Sequence, residues 1–173
     1  MLLLLLPNII TMFRIIATPA ICILISYEVY FYSCILFASA CLSDFLDGYI
    51  ARAYKMTSKF GQHFDSFADK FLITSVSIAL LQNRIVCDFH VIPIYMIIAR
   101  NLLMYFMRNY MNSAKKKNIE SNMMGKCTTF IQMVSMFFLI GGLIKLGLAM
   151  LWASMICAVI SFIGYFIHVL NSD

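Results

Sequence analysis

Charge is what this chain has least of: among its 173 residues only 12% are charged, against 62% apolar. Soluble domains carry about a quarter charged residues, and a mean hydropathy of +0.88 excludes that class in favour of an integral membrane protein. No basic residue precedes the Leu2 to Leu6 run and no small-residue cleavage site follows it, so it reads as retained rather than as a removed signal. The six cysteines show no CxxC pair, no histidine partner and no regular spacing. That excludes a thiolate metal site and leaves them as small apolar packers. A net charge of +5 is too modest to suggest nucleic acid, and suits contact with anionic headgroups or anionic substrates at one membrane face. Neither an inverted repeat nor paired broken helices, the marks of many transporters, can be found.

What is present is a succession of apolar stretches. Residues 1–8 form a short piece ending in Pro7-Asn8, read as an interfacial segment with Asn8 capping the helix that follows. Six spans of about 20 residues are then expected: Ile9 to Tyr27, Val29 to Ala53, Ser58 to Leu81, Pro93 to Met111, Gly125 to Ile144 and Gly147 to Val169. The fold class is all-α integral membrane, with six transmembrane helices in a single domain over residues 1–173. Six crossings put Arg52, Lys55, Lys59 and the Lys115 to Lys117 cluster on the face of the N-terminus, with only Arg84 and Lys145 opposite. Positive loops stay inside, so that face is cytoplasmic.

The eight acidic residues are unevenly spread, for four fall in two neighbouring stretches: Asp44-Phe45-Leu46-Asp47-Gly48-Tyr49-Ile50-Ala51-Arg52 and Gly61-Gln62-His63-Phe64-Asp65-Ser66-Phe67-Ala68-Asp69. Ionised groups at membrane depth cost several kcal/mol unless paired or bound to metal. At about 100° per residue, Asp44, Asp47, Gly48, Ala51 and Arg52 share one side of the second span, and Gly61, Asp65 and Asp69 line a stripe of the third. A short connection makes the two helices antiparallel neighbours, so the carboxylates face each other. All-oxygen ligands select hard ions such as Mg²⁺ or Mn²⁺, and two such ions together serve displacement at phosphorus. Gly48, Ala51 and Gly61 leave room beside them, and Arg52 can hold phosphate oxygens through its fork. Small residues alone would equally suit close helix packing.

The pattern DxxDGxxAR, eight residues, then GxxxDxxxD resembles the CDP-alcohol phosphatidyltransferase family without a departure. That resemblance implies a homodimeric membrane enzyme that displaces CMP from a CDP-linked lipid with an alcohol, using two divalent cations. By position it implies Asp44, Asp47, Asp65 and Asp69 as metal ligands, Asp69 also as general base, and Gly48, Ala51, Arg52 and Gly61 as the CDP-lipid site. The flanks Pro7 to Ile15, Phe64 to Lys70, Ala99-Arg100 and Gly125 to Gln132 are similar to bacterial members whose acceptor is sn-glycerol 3-phosphate. This implies transfer of a phosphatidyl group from CDP-diacylglycerol, giving phosphatidylglycerophosphate, at the bacterial inner membrane. Those members usually carry Pro at 66, Glu at 101 and Lys at 128, where this chain has Ser66, Asn101 and Thr128. Inositol, inositol phosphate, serine or phosphatidylglycerol therefore stay open as acceptors.

Arg100, Arg108 and Lys126 are cations on the cytoplasmic halves of the fourth and fifth spans, where an acceptor phosphate needs partners. Arg108 and Lys126 could equally snorkel to headgroups. His63 lies off the carboxylate stripe, and His90, His168 and Trp152 suit the interface. A divalent-cation or proton transporter would also explain buried aspartates, but it leaves Gly48, Ala51, Gly61 and Arg52 without a role.

Overall fold

The computed structural model describes residues 2–53, 59–113 and 123–170. Among them are six α-helices and no strand: α1 (Leu2–Ser26), α2 (Tyr30–Ala53), α3 (Lys59–Gln82), α4 (Val91–Ser113), α5 (Met123–Ile140) and α6 (Ile144–Leu170), with a 3₁₀ turn at Asp88–His90. Within these, Asp88–Met107 and Ile144–Gly164 are long and apolar enough to cross a membrane. Large apolar side chains such as Ile16, Phe31, Phe106 and Phe130 point outward, a surface that suits lipid rather than water. The described residues are all-helical apart from turns, an architecture consistent with a membrane protein.

The expected start of the first span is overturned. No helix starts at Asn8; α1 runs unbroken from Leu2 through Pro7 to Ser26. Pro7 stands one turn and a half inside the helix, so its missing N–H removes a single bond, to the carbonyl of residue 3. A separate N-terminal segment is therefore not formed.

Helices α1, α3 and α5 end in the same way. Glu28 (φ 60°), Arg84 (φ 53°) and Gly142 (φ 82°) adopt the left-handed conformation. Their amides bond back to the carbonyls of Ile25, Leu81 and Leu139, and the amides of the following Val29, Ile85 and Leu143 bond to those of Leu24, Leu80 and Phe138. This doubly bonded reversal, with an apolar residue after it, satisfies the orphan carbonyls of the last turn. Two of the three use a residue with a side chain, at a cost of about 1–2 kcal/mol each. The α5–α6 turn thus falls at Gly141 to Leu143, and Lys145, expected in that turn, stands in the first turn of α6. Pro93 occupies the first turn of α4, where no intrahelical donor is missed.

Helix α1 packs along both α2 and α3, and α6 packs along α5 and α4. The core between them contains Ile21 and Ile25 of α1, Phe37 of α2, Leu72, Val76 and Leu80 of α3, and Met136 and Ile140 of α5. Gly147 lets α6 close on α5: a Cβ there would stand 2.7 Å from Leu139 Cγ and 3.0 Å from the Leu139 amide nitrogen. Across the same contact Ser135 Oγ donates to the Gly147 carbonyl at 2.9 Å. Buried hydroxyls of Thr18 and Ser77 satisfy themselves on carbonyls one turn back, Arg14 and Ile73.

Candidate active site

Two polar clusters interrupt the apolar interior. The first lies between α1 and α3. Asp65 and Asp69 are one turn apart on α3 and, as their spacing of four requires, share a face. That face meets Arg14 of α1, whose side chain is fully buried. Arg14 Nη1 donates to Asp65 Oδ1 at 3.1 Å and to Asp69 Oδ1. The carboxylates keep 36% and 22% exposure, so arginine reaches them from the interior while their outer side stays accessible.

Arg14 is a member of this cluster that sequence reasoning did not single out, although a signal was there. It is the one charged side chain in the run Ile9 to Ile25, and a cation inside an apolar helix calls for a counter-charge elsewhere. The aspartates supply it.

The second cluster joins α4, α5 and α6. Arg100 Nη1 donates to Asn101 Oδ1 at 3.2 Å and Nη2 to Ser161 Oγ at 3.1 Å, while Asn101 Nδ2 donates to Gln132 Oε1 at 3.4 Å. Asn101 and Gln132 are buried, as is Thr128 one turn before Gln132. Gly125 lies under the Arg100 fork, its Cβ position 3.7 Å from Nη2. The flanking stretches Ala99-Arg100 and Gly125 to Gln132, distant in sequence, are thereby brought to one place. The two departures at 101 and 128 also become intelligible together. Both positions are buried at this cluster and carry neutral groups, Asn101 bonded to Gln132 and Thr128 one turn before Gln132.

The side chains of Asp44, Asp47, Gly48, Ala51, Arg52, Gly61, His63, Ser66, Arg108 and Lys126 lie outside the described residues. Among those that are described, no three His, Cys, Asp or Glu side chains gather into a metal site. Asp65 and Asp69 nevertheless suit one: an arginine nitrogen, standing in for a cation, receives one oxygen from each. Oxygen-only donors of this kind fit a hard divalent ion. Of the cysteines, Cys22, Cys34 and Cys41 pack against the core as expected, whereas Cys87 and Cys127 are exposed. Trp152 Nε1 donates to His90 Nδ1 at 3.0 Å, fastening α6 to the start of α4.

The model of the CDP-alcohol phosphatidyltransferase family matches residues 4–160, and the chain belongs to that family. Its members generally use divalent metal ions. Among similar proteins is the CDP-diacylglycerol–glycerol-3-phosphate 3-phosphatidyltransferase of Rickettsia typhi, 34% identical over 93% of this chain and 94% of its own. The protein of the same name from Wigglesworthia glossinidia brevipalpis is 31% identical over 92% of each chain. That from Mycoplasma genitalium reaches 42%, over 60% of this chain and 42% of its own. Family membership decides against the transporter alternative: the chain is a phosphatidyltransferase.

Proposed function

We propose that the chain transfers the phosphatidyl group of CDP-diacylglycerol to sn-glycerol 3-phosphate, forming phosphatidylglycerophosphate and CMP. The convergence of Asp65 and Asp69 on a cation within an apolar bundle carries this reading, in a chain whose relatives bear the name of that activity. Asp44, Asp47, Asp65 and Asp69 would hold two divalent cations, Mg²⁺ or Mn²⁺, which when bound neutralise charge on the diphosphate and on the departing CMP. Asp69 takes the proton of the acceptor's primary hydroxyl as its oxygen attacks the phosphatidyl phosphorus. The bond from that phosphorus to CMP breaks, and its electron pair leaves on the CMP phosphate. Gly48, Ala51 and Gly61 make space for the cytidine and diphosphate, and Arg52 binds phosphate oxygens. Arg100, with Arg108 and Lys126, receives the acceptor's phosphate; the described geometry supports Arg100 by placing its fork between polar groups of α4 and α6.

The reaction is tested with purified protein, labelled CDP-diacylglycerol and each candidate acceptor in turn. CMP release is expected only with glycerol 3-phosphate and only with Mg²⁺ or Mn²⁺, and chelation should abolish it. Full release without metal overturns the mechanism. An inert glycerol 3-phosphate with a reactive inositol, inositol phosphate, serine or phosphatidylglycerol overturns the acceptor while leaving the reaction class.

The six helices are proposed to cross the bacterial inner membrane, with the site on the cytoplasmic face and two copies associating as a homodimer. The loop between α3 and α4 then lies outside. Its exposed Cys87 reports this orientation. A hydrogen bond from the thiol to the Asp88 carboxylate, reinforced by that carboxylate's charge, pushes the thiol's pKa up. Because thiolate is the reactive form, a variant keeping only Cys87 should react slowly with an impermeant maleimide at neutral pH and faster at higher pH. Labelling is expected in whole spheroplasts, and labelling only after lysis would reverse the orientation.

A further inference from the structure

Arg14 takes up the very groups that the reaction needs. It is fully buried and binds one oxygen each of Asp65 and Asp69 with a single nitrogen, from the inner side, while both carboxylates stay reachable from the outer side. We propose that Arg14 is a positioning residue, a resident counter-cation that holds Asp65 and Asp69 in the metal-free enzyme and competes with divalent metal for them. The inference rests on Asp65 and Asp69 being metal ligands.

The physical reason is the charge count. Without metal, two ionised carboxylates in an apolar bundle would repel each other. Arg14 provides one positive charge that cannot be lost by deprotonation, and it fixes both side chains on a shared point. A divalent ion arriving from the exposed side brings two positive charges to the same carboxylates. It meets the guanidinium at close range, so either Arg14 gives up its bonds or the ion binds less tightly. The coupling is reciprocal: whatever factor Arg14 takes from the metal's affinity, the metal takes from Arg14's hold on the aspartates. A cation thus stands beside the carboxylates before and after the exchange, one positive charge from Arg14 or two from the ion, and metal affinity is set below what the aspartates alone would give.

Arginine on a purely structural duty predicts the opposite sign. Removing a packing cation would loosen the aspartates and weaken metal binding. The discriminating quantity is therefore the Mn²⁺ dissociation constant, followed by electron paramagnetic resonance of free Mn²⁺ in detergent-purified protein without substrates. Arg14→Gln is expected to bind Mn²⁺ more tightly by roughly 5–150-fold, the usual span of such couplings. Its melting temperature should fall without metal and recover more on adding Mn²⁺ than that of the wild type. Arg14→Lys, which keeps a charge but replaces the fork with a single ammonium, should bind Mn²⁺ with intermediate affinity. If the glutamine variant does not fold, the lysine variant decides, by tightening or failing to tighten. Unchanged or weaker Mn²⁺ binding in a folded variant overturns the proposal. A wild-type protein that binds no Mn²⁺ overturns instead the reading of Asp65 and Asp69 as ligands.

Discussion

Turnover of the Asp69→Asn variant is expected to drop by ~10²–10⁴, the range for loss of a positioned general base. Asparagine has nearly the same shape and can still accept a bond from Arg14 Nη1, so packing between α1 and α3 should survive. What it cannot do is take the hydroxyl proton. Metal and CDP-lipid binding should weaken less than turnover, because three carboxylates remain to hold at least one ion; Asp44→Asn loses a ligand but not the base and serves as the comparison. Initial rates and CDP-lipid affinity measured on both variants separate the two roles. Near-normal turnover in Asp69→Asn would remove Asp69 from the base role, and equal losses of turnover in both variants would make the two aspartates plain ligands.

Arg100→Ala should raise the KM for glycerol 3-phosphate by roughly 10–150-fold, corresponding to the ~1.5–3 kcal/mol of a hydrogen bond to a charged group. Its kcat should change little, provided chemistry is slower than acceptor release. The same substitution severs the bonds to Asn101 and Ser161, so a lower melting temperature is expected as well. Ser161→Ala isolates that second effect. It removes a neutral partner worth about 1 kcal/mol and should lower stability while leaving KM near the wild-type value. An unchanged KM in Arg100→Ala would confine the residue to tying α4 to α6.

Much of this was legible in the residues themselves. Helix positions follow from apolar runs of membrane length, and the spacing of four between Asp65 and Asp69 puts them on one face by helical geometry alone. Helix ends were harder to read. Glu28 and Arg84 take the left-handed position that glycine usually fills, so composition does not announce those caps, while Pro7 announces a break that one missing amide does not enforce. Hardest were partners far apart in sequence. Nothing local in α1 tells that Arg14 meets α3, or that Asn101 meets Gln132, since those contacts depend on which helix packs on which. A charge-balance argument reaches the first pair, because a lone cation and nearby carboxylates must find each other. It does not reach the second, which is neutral.

The 51 positions between Arg14 and Asp65 also carry a consequence for biogenesis. Chains emerge from the ribosome N-terminus first, at ≈ 5–20 residues per second, so α1 is made about 3–10 s before its counter-charge on α3 exists. During that interval the two bonds from Arg14 to α3 cannot form. Insertion of the α1–α2 hairpin and its docking on α3 are thus separate events, and the bonds of Arg14 to Asp65 and Asp69 form only in the second.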